Sequence, residues 1–286
     1  MQPSVYIGSA VWRDVVALHV QSLIPLLLDN EHYIYKPQVG DALVERSRAM
    51  SASYFLRETD GEVHLSLDSD IVEFTKDAID QMCEQTRKYD IVAAAYICRA
   101  TARTFPASFL EEGTRVEFGF DSTPVPVKWA ATGCMAVHRR VFEKMAETMP
   151  LLHESDGPRA FYPFYQSMIW DEPEINEKIL LSEDFAFCQR ARDLGFGVYI
   201  NPSIRLGHMG AYVHRIEDMA QKMLKPQPMA ITRMGRHYKV EYSGETESDA
   251  DLGRLSMEMS KKKDEELFKP SRAERRRNKR KALTTI

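Results

Sequence analysis

Between residues 63 and 67 the chain alternates Val63, Leu65 and Leu67 with His64 and Ser66, then delivers Asp68 and Asp70. A period of two puts alternate side chains on opposite faces of an extended chain, so the stretch predicts a strand with one buried face. If the extension persists, the two aspartates share a side. Upstream, Val5, Tyr6 and Ile7 form a short β-rich run ending at Gly8 and Ser9, and residues 15–28, VVALHVQSLIPLLL, read as an amphipathic core helix. Leu43, Arg46, Met50 and Tyr54 recur at helical spacing behind Asp41, a candidate N-cap. Downstream, Thr75 is placed to cap the helix TKDAIDQMCEQTRKYD, and DIVAAAYICRA is a compact apolar strand of the kind covered on both faces.

Strands alternating with helices predict an α/β fold with a mostly parallel central sheet flanked by helices. Ligands of such sheets sit at the carboxyl ends of the strands, where Ser9, Asp68 and Asp70 are expected. Residues 101–128 predict loops and antiparallel edge strands, and WAATGCMAVHRRVFEKM predicts a strand leading into a helix. Residues 150–180 are loop-rich and carry Phe161, Tyr162, Phe164, Tyr165 and Trp170, a pattern that suits a packed excursion, a lid or an acceptor platform. Ser182 then reads as an N-cap with Glu183 and Asp184 in the first helical turn, where the helix dipole favours acids, and Gly195 as the stop. After the strand around VYI, His208 falls between Gly207 and Gly210, an awkward place for a core histidine.

Composition narrows the picture. With 286 residues, 44% hydrophobic and 28% charged, the chain is globular in type, and the expected division is a main folded domain over 1–240, an acidic helical linker over 241–268 and a basic tail over 269–286. Cys83, Cys98, Cys134 and Cys188 are scattered without a CxxC pair or zinc spacing, which argues against a disulfide framework or structural zinc and suits a reducing cytoplasm. The apolar run at 15–28 is broken by His19, Gln21 and Pro25 and lacks a basic leader, so neither a signal peptide nor a transmembrane segment is expected. From Lys269 onward eight Lys/Arg face one acid, Glu274, so the net charge of −4 conceals a basic tail on an acidic body. Such a block is either a solvated arm or a contact for a polyanion, nucleic acid or an anionic membrane surface.

A hard divalent cation prefers carboxylate oxygens, and one clamping a diphosphate needs only one or two from the protein. An Asp-X-Asp at a strand end meets that need, and here a Ser-Glu-Asp at a helix start and a late histidine accompany it. The order of VERSRAM, LSLDSD, ATGCMAVHRRVFEKM, SEDFAFCQRARDLGFGVYINPS and LGHMG over residues 4–214 resembles the GT-A-fold nucleotide-sugar glycosyltransferases, particularly the family-two-like enzymes of bacteria and phages. The resemblance implies a Rossmann-like fold and Mn²⁺ or Mg²⁺ bound by Asp70 and His208. Asp68 would lie on the ribose or a metal-bound water. It implies Asp184, or else Glu183, as the base that takes the acceptor's proton, with inversion at the anomeric carbon. Ser9 and Ala10 would hold the base and ribose of the nucleotide, UDP by preference, Arg48 or Arg46 would approach it, and Thr132-Gly133 would lie under the donor sugar. Where the family commonly has proline or threonine after the first strand and asparagine after the helix arginine, this chain has Ser9-Ala10-Val11 and Arg48-Ala49-Met50.

The tail suggests two acceptors. One is hydroxymethylated phage DNA, with the flipped base stacked on the aromatics of 161–170; the other is a cell-envelope glycan or lipid carrier approached by peripheral membrane contact. Two readings of other classes compete. LSLDSDIVEF also fits the haloacid-dehalogenase-like phosphatases, with Asp68 as nucleophile and Asp70 as general acid, and a non-catalytic polyanion-binding adaptor would keep only the tail's function.

Overall fold

The computed structural model describes residues 4–99, 104–155, 157–173, 176–220, 229–235 and 237–242. Its first half follows the alternation read from the sequence: β1 (Val5–Val11), α1 (Ala17–Leu27), β2 (Tyr33–Val39), α2 (Val44–Glu58), β3 (Val63–Leu67), the short β4 (Ile71–Val72), α3 (Lys76–Tyr89) and β5 (Ile91–Ala95). Thr75 caps α3, its hydroxyl accepting from the Ala78 amide at 3.2 Å. Two boundaries differ from expectation. β1 runs past Gly8 and Ser9 to Val11. Asp41 does not cap α2, which begins beyond Leu43; its carboxylate instead accepts from the Leu43 amide at 2.9 Å and holds Arg46 at the surface.

The second half adds β6 (Ala107–Phe109), β7 (Arg115–Phe118), β8 (Val125–Ala130), β9 (Cys134–His138) and α4 (Arg139–Ala146). The stretch expected to be loop-rich contains two small antiparallel pairs, β10 (Leu152–His153) with β11 (Ala160–Phe161), and β12 (Met168–Glu172) with β13 (Glu177–Leu181). They are followed by α5 (Glu183–Asp193), β14 (Val198–Arg205), β15 (Gly207–Met209), β16 (Val213–His214), a 3₁₀ turn at Ile216–Ala220, β17 (Met229–Met234) and β18 (His237–Tyr242).

Eight strands form the central sheet in the order β2-β1-β3-β9-β5-β14-β8-β6. β1, β2 and β3 are parallel, as are β5 and β14, while β9 lies antiparallel between β3 and β5 and β8 runs antiparallel to β14 and β6. The sheet is thus mostly parallel in strand direction with two reversed strands, and smaller antiparallel sheets flank it. Two apolar layers cover it. On one side Tyr6 and Met135 pack under Ala52 and Phe55 of α2, Phe142 of α4 and Phe187 of α5; on the other Ile7, Leu65 and Leu67 pack under Leu23 and Leu26 of α1 and Ile79 and Met82 of α3.

The alternation in β3 therefore separates two buried faces rather than a buried face from an exposed one. Val63, Leu65 and Leu67 enter the second layer, and His64 and Ser66 are equally buried beneath the first. Fully burying an aliphatic side chain of that size contributes about 1.5–3 kcal/mol. His64 reaches a polar partner there, the Ser51 hydroxyl of α2 at 3.2 Å, so its burial carries less desolvation cost than an unpartnered ring would. No helix among the described residues is long and apolar enough to cross a membrane.

Candidate active site

β3 ends at Leu67, and the chain turns at once: the Ile71 amide donates to the Asp68 carbonyl at 3.1 Å. That i to i+3 bond closes a turn over residues 68–71, so the extended spacing that would have put Asp68 and Asp70 on one side does not persist. The two carboxylates meet different partners as a result. The Asp68 amide is held by the Gly133 carbonyl at 2.8 Å and the Asp70 carbonyl by the Met209 amide at 2.8 Å, so each end of the turn is pinned to a different strand junction.

Asp68 faces the buried Arg48. One guanidinium nitrogen of Arg48 donates to both Asp68 oxygens, at 2.9 and 2.7 Å, and another donates to Glu183 at the start of α5. The Arg48 side chain is 8% exposed and lies among the buried, mostly small residues of α2, Ser47, Ala49, Ser51 and Ala52. Burial opposes its charge, but Asp68 and Glu183 hold its pKa above the ordinary arginine value. Burial raises the Glu183 pKa, an effect that Arg48 offsets only in part and that neighbouring Asp184 reinforces. Arg46, the other candidate on this helix, is paired with Asp41 instead.

Asp70 turns instead to His208. β15 runs antiparallel to β4 with His208 opposite Ile71, the register that sets the imidazole beside Asp70: His208 Nε2 lies 3.5 Å from Asp70 Oδ2. Gly207 permits this approach, since a Cβ there would come within 2.5 Å of Val213 and 2.9 Å of both Val72 and Glu73. His208 Nδ1 lies 2.9 Å from the Ile97 carbonyl, which can only accept, so Nδ1 carries a hydrogen and Nε2 is the atom turned to the carboxylate. Burial lowers the histidine's basicity, but Asp70 more than compensates and its pKa is raised. The Asp70 pKa stays low despite burial because His208 and Arg99 favour the anion. Arg99 Nη1 sits 2.5 Å from the same Oδ2.

Between these halves lies Gly133, whose amide donates to the Tyr96 hydroxyl at 2.9 Å; a Cβ on Gly133 would meet that oxygen at 2.5 Å, which explains the glycine. Tyr96 also meets the His208 ring edge to face, at 5.5 Å between centroids. Next to Gly133, the buried Thr132 hydroxyl has no partner among the described residues, a polar atom left for something else to satisfy. Asp184 Oδ1 accepts from the Phe185 amide at 2.8 Å and from the Ser182 hydroxyl, so Ser182 holds the N-cap position expected of it while its hydroxyl serves Asp184 and not a backbone amide. In β1, Ser9 is buried and Ala10 partly exposed.

The fit to a divalent cation can be judged on this donor set. Among the described residues no three His, Cys, Asp or Glu side chains gather at one point. Asp70 and His208 form a converging pair, a carboxylate and an imidazole, whereas both oxygens of Asp68 are on Arg48. Two protein ligands suit a cation whose remaining shell is phosphate and water, and the Arg99 guanidinium already stands as a cation against Asp70. The residues fit.

Sequence reasoning did not single out Tyr96, Arg99 or the Ile97 carbonyl. All three follow β5, and the rule that ligands gather at the carboxyl ends of strands would have pointed to that segment as it did to Asp68. Of the aromatic run, Phe164 and Tyr165 are fully buried in the layer under α4 and α5 and are not available to stack on a base. The linker beyond residue 242 and the basic tail lie outside the described residues.

No known family profile matches the chain, and no curated protein does. Among solved structures it is similar to A197 from STIV, with 16% identity over 85% of this chain and 95% of that one at a TM-score of 0.45. It is also similar to residues 1–349 of S. aureus TarS, with 10% identity over 69% and 58% at 0.37, and to apo UDP-glucose pyrophosphorylase, with 12% identity over 72% and 76% at 0.33. At these identities and scores none of the three assigns a function to this chain.

Proposed function

We propose that the protein is a cation-dependent glycosyltransferase of the GT-A kind, moving a sugar from a nucleoside diphosphate sugar, UDP by preference, to an acceptor hydroxyl with inversion. The observation that carries the reading is the Asp70–His208 pair, its imidazole oriented through Ile97 and its oxygen at the carboxyl end of the sheet. Asp70 and His208 would hold Mn²⁺ or Mg²⁺, which when bound supplies Lewis-acid charge to the departing diphosphate. Thr132 and Gly133, before β9, would lie under the donor sugar, and Ser9 and Ala10, on β1 across β3 from them, would lie toward the nucleotide.

Asp184 is the base. Both of its bonds go to Oδ1, which leaves Oδ2 to take the acceptor's proton. Glu183 and Asp68 share the single cation Arg48 in a brace that joins α5 to the turn. The same brace argues against phosphatase chemistry, because a nucleophilic Asp68 would need an oxygen free of Arg48.

The test is release of nucleoside diphosphate from a panel of nucleotide sugars with Mn²⁺, with EDTA, and in Asp70→Ala. Release from one donor that EDTA and the substitution both abolish is the expected result. Release that survives chelation and the substitution would end the reading.

A further inference from the structure

We propose that Arg99 is a place-holding cation, which occupies Asp70 in the unloaded protein and must leave before a divalent ion can bind. The inference rests on the reading of Asp70 and His208 as cation ligands. Arg99 Nη1 and His208 Nε2 converge on one atom, Asp70 Oδ2, at 2.5 and 3.5 Å. A metal ion held jointly by Asp70 and His208 would use Oδ2, the oxygen nearest Nε2, so it competes with the guanidinium N–H for that atom.

The two arginines of the site differ in what leaving would cost. Arg48 is 8% exposed and bound to two acids, and its departure would strand buried charge. Arg99 is 57% exposed and is joined to Asp70, itself 17% exposed, so its guanidinium can turn into solvent while its stem stays in place. The stem starts close beside Gly210, where an added Cβ would lie 3.3 Å from the Arg99 Cβ. A guanidinium released there remains at the mouth of the site, where its planar array of donors suits phosphate oxygens.

Competition of this kind lowers the affinity for the cation in the free protein, by the fraction of molecules in which Asp70 is already taken. The experiment is a titration with Mn²⁺ alone, following the electron paramagnetic resonance signal of the free ion, in the full chain and in Arg99→Ala, Arg99→Lys and Asp70→Ala. Arg99→Ala is expected to bind Mn²⁺ about two- to fivefold tighter, the scale of a partly exposed ion pair. Arg99→Lys should stay near the parent, and Asp70→Ala should lose the site. Unchanged or weaker binding in Arg99→Ala, with binding still dependent on Asp70, overturns the place-holder and leaves the cation reading standing. Absence of Asp70-dependent binding in every variant overturns both. Thermal melting of each variant confirms that an exposed-residue change has left the fold intact.

Discussion

Asp68 and Asp70 are separated by a single serine, yet they belong to two electrostatically different places. Asp68 lies in a closed set, with both oxygens on a buried arginine that also holds Glu183. Asp70 lies in an open set, with one oxygen shared by an orienting histidine and an exposed arginine. The turn at 68–71 makes the difference, because it rotates the second carboxylate out of the strand's register and toward β15. An Asp-X-Asp at a strand end is therefore not one cluster of two ligands here. On the function proposed, one acid serves rigidity and the other is left for chemistry.

The sharpest test of that contrast is at α5, where Glu183 is bound to Arg48 and the adjacent Asp184 is held by Ser182 and the Phe185 amide. Asp184→Asn is expected to lower turnover about 10²- to 10⁴-fold, the usual worth of a positioned base, with Mn²⁺ and UDP binding unchanged. Glu183→Gln should leave a much larger share of the turnover. If steady-state rates and nucleotide titrations give the reverse order, Glu183 is the base and the closed set is not a brace.

Next comes the brace itself. Arg48→Met would leave Asp68 and Glu183 half-buried without their counter-charge and is expected to cost about 3–5 kcal/mol in urea unfolding. Adding Asp68→Asn and Glu183→Gln should return most of that loss, since the penalty lies in stranded charge more than in a lost contact. Arg99→Ala should change stability by less than about 1 kcal/mol, as an exposed pair does. Equal losses at the two arginines would erase the distinction between the closed and open sets.

How much of this was legible beforehand follows from which interactions are local. The repeating strand and helix periods gave β3, α3, β5 and α5, because burial against a neighbouring layer imposes a period that the sequence carries by itself. The antiparallel insertion of β9 between β3 and β5 was not legible, since pairing partners are chosen by distant strands. For the same reason the alternation in β3 was read as half-buried: His64 looks solvent-facing until α2 is laid over it. At the site, Asp68, Asp70, Asp184 and His208 were marked by motif order, and Arg48 was one of two helix arginines. Which of the two is buried depends on the angular position of Asp68 and Glu183 across the sheet, and no spacing along α2 encodes that. Arg99 and Tyr96 carried no motif at all; they matter only because β15 folds back on the turn.

A further effect concerns the floor beneath the closed set. His64 sits in β3 four residues before Asp68 and contacts Ser51 on the helix that carries Arg48. Burial pushes its pKa down to about 3. A histidine kept neutral in the fold but free to protonate when unfolded leaves stability intact above the ordinary value of 6.5 and removes it progressively between 6.5 and about 3. Between pH 7 and pH 5 the loss from this one ring is about 2 kcal/mol. His19, depressed by burial too, acts in the same direction. Urea unfolding at the two pH values should therefore give a difference about 2 kcal/mol smaller in His64→Gln than in the parent, whatever the variant's absolute stability. An unchanged difference would mean that the ring takes up its proton in the folded state, so that the layer beneath Arg48 is open to water and the closed set is less closed than its contacts imply.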